Sequence, residues 1–125
     1  MRQSGRTTKQ IKHLIDVLVN GERDAAYYLG WSGTNDYAMG IACRILGEMG
    51  IEHTIVKHNR EITLAGTKKK IIFVSVESGN NRLEGCRAHL VVDHSAWDGL
   101  PGDRKEWIKY GCPMKFDPYG LDETP

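Results

Sequence analysis

Two short stretches of this chain hold residue types suited to phosphate and metal chemistry. The first is Ser4-Gly5-Arg6-Thr7-Thr8, directly before a helix-like pattern. Unpaired backbone N–H groups at a helix start point outward, and the helix dipole favours an anion there. Gly5 lets a phosphate approach the backbone closely. Arg6 brings positive charge and a two-pronged donor, and Thr7 offers a hydroxyl to Mg²⁺. A phosphate-binding loop ordinarily reads G-x-x-x-x-G-K-[ST]. Here Arg6 replaces the lysine and the first glycine would fall before Met1. The plainer reading is that Ser4 or Thr7 caps a helix. The second stretch, Leu90-Val91-Val92-Asp93-His94, is an apolar strand with a carboxylate at its tip, a place from which Asp93 can hold the water shell of Mg²⁺.

These residues need elements to bring them together. A helix start at Thr7 or Thr8 is followed by Ile11, Leu14, Ile15 and Leu18, one apolar stripe that Asn20-Gly21 ends. Residues 25–31, AAYYLGW, read as a buried strand. After a polar loop, Ala38, Ile41, Ala42, Ile45, Leu46 and Met49 repeat at helical spacing up to Gly50. IEHTIVKH and REITLAG then read as a hairpin near residues 51–66. Ile71 to Val76 and Leu90 to Val92 read as strands buried on both faces. Arg104 to Tyr110 is a short helical candidate in a tail richer in Pro and Gly. Strands alternating with helices predict an α/β domain on a mainly parallel sheet, decorated by the hairpin. Ligands of such sheets sit at the carboxyl ends of the strands, where Asp93 and the start of the first helix would both open. The expected organisation is one α/β domain over 1–99 and a C-terminal extension over 100–125 that packs on it.

At these residues a family resemblance enters. RQSGRTT resembles the Walker A segment of helicases and phage terminase large subunits. The stretch from REITLAG to VVDHSAW resembles the region those terminases carry before Walker B, with Arg82-Leu83-Glu84-Gly85 in place of their Arg-x-x-Gly loop. The chain is also similar to small bacteriophage proteins that begin near GRTT and carry VDH later. The resemblance covers about residues 2–97. It implies a P-loop NTPase-like (RecA-like) fold in truncated form, with ATP and Mg²⁺ as ligands. Ser4, Gly5, Arg6, Thr7 and Thr8 would bind phosphate, and Thr7 and Asp93 would hold the metal through water. Asp93 and His94 would be the catalytic pair, His94 standing where the family has a water-orienting Glu. Three departures mark the motifs as degenerate: Arg6 for Lys, His94 for Glu, and the lack of a strand feeding the loop. The empty sheet position calls for cover by the C-terminal segment or by a second copy of the chain, a homodimer.

The implied function is phage-type nucleotide binding with weak or absent ATP hydrolysis, linked to DNA. Two other classes stand beside it: a non-catalytic interaction module that binds a protein or DNA, and a protein that sequesters nucleotide-derived signals. Tyr27, Tyr28 and Trp31 can stack on bases, but as strand residues they suit core packing better. Lys68, Lys69 and Lys70, near Lys57 and Arg60, can meet phosphate or simply form a solvated hairpin tip. His53 and His58 have no partner spacing. Trp97 and Trp107 would pack the C-terminal segment on the sheet.

With 125 residues and a net charge of +1, the composition fits one domain and favours no charged partner. Cys43, Cys86 and Cys112 are odd in number and widely spaced, which predicts thiols in a reducing cytoplasm and no zinc site. No apolar run has the length of a membrane span and no secretory leader is expected, so the predicted location is cytoplasmic, that of the host cell for a phage protein.

Overall fold

A computed structural model describes residues 4–21, 24–76, 89–103, 105–106 and 115–116. Helix α1 spans Ser4–Asn20. Its apolar stripe is fully used: Ile11, Leu14, Ile15 and Leu18 are all buried. The helix begins three or four residues earlier than its apolar pattern indicates, so the Ser4–Thr8 stretch is its first turn and the next residue, not a preceding loop. No proline blocks that turn, and Gly5 costs a helix only about 1 kcal/mol against Ala. The buried face continues backward from Ile11 and Leu14 through Gln10 and Thr7, two polar residues that conceal it from a search for apolar spacing.

Strand β1, Ala25–Gly30, runs into helix α2, Ser32–Glu48, through Trp31 alone. The α2 stripe buries Ala38, Met39, Ile41, Ala42, Ile45 and Leu46. Met49, expected on that stripe, is instead 51% exposed. The reason is the helix stop. Gly50 adopts φ +74°, its N–H bonds the Gly47 carbonyl at 3.1 Å, and the Ile51 N–H bonds that of Leu46 at 2.9 Å. This paired closure turns the chain away at Met49 and sends Ile51 back onto the core.

The hairpin is β2, His53–Val56, and β3, Glu61–Leu64, paired antiparallel with His53 opposite Leu64. A 3₁₀ turn over Lys57–Asn59 joins them, closed by Arg60 at φ 54°. Strand β3 then pairs antiparallel with β4, Lys70–Ser75, which lies parallel to β1. On the other side of β1 comes β5, His89–Val92, parallel to it, followed by the short helix α3, His94–Asp98. Strand β6, Lys115–Phe116, pairs parallel with β5. The order β2-β3-β4-β1-β5-β6 makes a mixed sheet, with the hairpin built into its edge. The sheet position beyond Leu90–Val92 is taken by two residues of the C-terminal segment, Lys115 opposite Leu90 and Phe116 opposite Val91. The Arg82–Gly85 loop, Cys86, Trp107, Cys112 and most of the Arg104–Tyr110 helical candidate lie outside the described residues.

Helices α1 and α2 cover one sheet face, over Ala26, Tyr28, Ile71, Phe73 and Val91. The opposite face packs Leu29, Ile72, Val74, Leu90 and Val92 against Trp97 and Leu100. Two-sided burial explains the unbroken apolar runs at 71–74 and 90–92, since neither face alternates with solvent.

Candidate functional site

The connection after β1 leaves through α2 on one face, and the one after β5 through α3, whose Trp97 packs on the other. In open α/β sheets, ligands sit outside the carboxyl ends of adjacent strands connected in this way. Gly30 and Asp93 stand at those two ends. The backbone of Asp93 is fixed twice: its N–H bonds the Leu29 carbonyl and its carbonyl accepts the Trp97 N–H, each at 2.9 Å.

A buried polar cluster fills the space between these strand ends and α1. Gln10 Nε2 donates to the Val92 carbonyl at 3.1 Å. The Tyr28 hydroxyl reaches Gln10 Oε1 at 3.3 Å and Asp93 Oδ1 at 3.4 Å. One phenolic hydrogen serves both acceptors, which accounts for two long contacts in place of one short one. Thr7 donates to the same phenolic oxygen. Burial holds the Tyr28 hydroxyl well above its ordinary pKa of 10.0; the Asp93 charge and hydrogen bond push the same way and the bond from Thr7 opposes them.

Thr7 of the first helical turn and Asp93 at the strand tip therefore meet at one atom, the Tyr28 oxygen, and both are at most 5% exposed. Thr8, the next residue of α1, is only half-buried and does not join the cluster. Gly5 lies within the first turn; the side chains of Ser4, Arg6 and His94 lie outside what is described. Among the described residues no three His, Cys, Asp or Glu side chains converge here.

Asn35, in the first turns of α2, is buried at the same strand ends. Its Nδ2 donates to the Gly30 carbonyl at 3.3 Å and the Val74 carbonyl at 3.0 Å, stitching the ends of β1 and β4. Nearby, the hydroxyls of Ser32 and Ser75 are 3.2 Å apart. Sequence reasoning missed Gln10, Tyr28 and Asn35 as members of the site. One signal was available for two of them: Gln10 precedes Leu14 by four and Asn35 precedes Ala38 by three, so each is a polar residue on an apolar stripe.

Several of the remaining candidates have structural partners. Lys69 Nζ bonds the carbonyls of Leu18 at 2.7 Å, Gly21 at 2.9 Å and Val19 at 3.4 Å, closing the end of α1. Lys70 pairs with Glu61 at 3.7 Å. Arg60 bonds Asp36 at 2.6 Å and the Ser32 carbonyl at 3.2 Å, tying the hairpin to the start of α2. His53 Nδ1 lies 3.0 Å from the carbonyl of Ile51. Tyr28 is core, its ring tilted against Phe73 with centroids 5.7 Å apart. A groove of about 440 Å³ lies between α2 and the hairpin, lined by Asp36, Met39, Gly40, Cys43, Ile55, Lys57 and Arg60. Burial pushes the Cys43 thiol up.

No helix among the described residues is long and apolar enough to cross a membrane. No family model, curated protein or solved structure matches this chain.

Proposed function

We propose that the chain is a P-loop-type nucleotide-binding protein with degenerate phosphate and metal motifs, of the kind found in phage and helicase ATPases, in which binding outweighs turnover. The observation that supports this most is the meeting of Thr7 and Asp93 at the Tyr28 hydroxyl. It brings the start of α1 close to the acidic tip of β5, with the Tyr28 phenol filling the space between them. The N–H groups of the Ser4–Thr8 turn and the charge of Arg6 hold phosphate, and Thr7 and Asp93 hold the ion through water. His94 follows Asp93, where a base belongs. The nearby donors, a carboxylate, a hydroxyl and an amide oxygen, are hard oxygens and fit Mg²⁺. Bound Mg²⁺-ATP supplies a phosphorus open to attack by water. A linkage to DNA rests on the resemblance of the motifs to terminases and helicases.

Thermal unfolding with Mg-ATP, Mg-GTP and the two diphosphates tests this. A ligand at 100 times its dissociation constant adds about 2.7 kcal/mol. Arg6→Ala removes the shift, and phosphate release reports any turnover. No shift with any of the four at millimolar concentration overturns the proposal.

A second reading, a non-catalytic interaction module, is favoured by the far edge of the sheet. Strand β2 pairs with β3 alone among the described residues, and Ile55 on it is 41% exposed beside the α2 groove. An edge and groove of this kind suit an added strand from a partner.

A further inference from the structure

We propose that β2 is a self-association edge: His53–Val56 pairs antiparallel with the same strand of a second copy, about a twofold axis at Thr54. The inference deepens the interaction-module reading, on which it rests for the open edge, by naming the partner. It does not depend on nucleotide.

The hairpin ladder fixes which backbone groups face outward. The Ala65 N–H bonds the Glu52 carbonyl at 2.9 Å, and His53 lies opposite Leu64. Bonded and non-bonded pairs alternate along an antiparallel ladder. Thr54–Thr63 and Val56–Glu61 are thus bonded pairs, and His53–Leu64 and Ile55–Ile62 are not. The N–H and C=O of His53 and Ile55 are therefore directed away from β3. On that side no strand lies among the described residues. The flanking carbonyls are already engaged: that of Ile51 lies 3.0 Å from His53 Nδ1, and that of Lys57 accepts the Arg60 N–H at 3.1 Å. The open stretch is His53 and Ile55 with Thr54 between them. A copy turned about Thr54 matches it, since His53 of each copy then faces Ile55 of the other and each residue both donates and accepts.

Charge selects the partner. Residues 53–56 hold no Pro, Lys, Asp or Glu, the residues that blunt edge strands. The strand is instead bracketed by opposite charges, Glu52 before it and Lys57 after it, both exposed. Antiparallel self-pairing brings each copy's Glu52 beside the other's Lys57, whereas a parallel arrangement sets lysine against lysine. Ile55 is 41% exposed and lies opposite Ile62 of the helix-side core, so its side chain is on the helix side of the sheet. In the dimer it packs on the other copy's His53 directly across and on its Ile55 along the diagonal. Four residues make a short seam, so the dimer is weak and depends on concentration.

Sedimentation velocity of the full chain over a range of concentrations is the test. The 14.1 kDa chain is expected to approach twice that mass as concentration rises. Thr54 is exposed and meets its own copy at the axis, so Thr54→Lys and Thr54→Glu each set like charges face to face. Each variant weakens the dimer tenfold or more. An equal mixture of the two restores it, a rescue that damaged folding does not produce. A chain that stays monomeric at millimolar concentration overturns the inference, and so does a dimer indifferent to both variants. Amide exchange separates this failure from that of the interaction-module reading. Rapid exchange at His53 and Ile55 in a persistent monomer leaves the edge open to a strand of another protein and removes only the second copy. Slow exchange there in a monomer closes the edge and removes both.

Discussion

The phenolic oxygen of Tyr28 lies 3.4 Å from Oδ1 of Asp93, two residues 65 positions apart in the chain. That contact, with the one to Gln10, ties the central strand to the carboxyl edge of its neighbour and to α1 above them. Tyr28→Phe keeps the ring against Phe73 and removes only the hydroxyl. It leaves a buried carboxylate and a buried amide oxygen short of a donor, at a cost of about 1–3 kcal/mol. Urea unfolding measures the loss, and an unchanged midpoint would assign the cluster no energetic role.

The same hydroxyl makes stability depend on alkaline pH. Its folded pKa is raised above the ordinary 10.0, by burial first and by the Asp93 charge second. The native state keeps the proton while the unfolded chain releases it above pH 10. The stabilisation is therefore complete below pH 10 and declines as pH rises through and beyond it, with a slope approaching about 1.4 kcal/mol per pH unit. Other tyrosines and the lysines titrate in that range too, so the informative quantity is the difference between the unaltered chain and Tyr28→Phe. The variant's stability falls less steeply between pH 10 and 11.

Lys69 donates to three carbonyls at the end of α1. Lys69→Met keeps the aliphatic stem and deletes the ammonium, which costs about 1 kcal/mol through lost hydrogen bonds and helix-dipole compensation. Amide hydrogen exchange should quicken in the last turn of α1 and stay unchanged in α2.

Two glycines of the α2 region should respond in opposite directions. Gly40 sits mid-helix, where an added Cβ meets nothing within 4 Å, so Gly40→Ala stabilises by roughly 0.5–1 kcal/mol. Gly50 holds φ +74° in the closure of the helix, so Gly50→Ala destabilises by about 1–2 kcal/mol. Paired denaturation curves check both signs.

Gly99 lies against the Trp31 ring, where a Cβ would come within 2.5 Å of Cζ2. Gly99→Ala must displace the indole or the turn after α3. A shift in tryptophan emission is expected, and it should vanish in a Trp31→Phe background.

Much of the architecture is written in the apolar pattern. The stripe Ile11, Leu14, Ile15 and Leu18 and the runs 71–74 and 90–92 are legible because each buries a contiguous face. The start of α1 is not, because its first buried residues, Thr7 and Gln10, are polar and earn their place through Tyr28 and Val92. The antiparallel docking of β3 on β4 is also hidden: alternation in Glu61–Leu64 sets the faces but names no neighbour. In the site, Asp93 is visible as an acid ending a strand. Tyr28 is not, since one strand tyrosine among aromatics reads as core, and only the fold brings its oxygen to Thr7, Gln10 and Asp93. Met49 shows the opposite failure, an apolar residue in phase with its stripe that the Gly50 closure turns outward.

The Lys69 anchor also bears on how α1 can move. A 17-residue helix is about 25 Å long. Its leading end is moored to the strand ends through Thr7 and Gln10, and its trailing end to the turn that opens β4. Held at both ends, α1 behaves as a stiff rod, so any axial shift at the strand ends is carried to the opposite rim of the sheet.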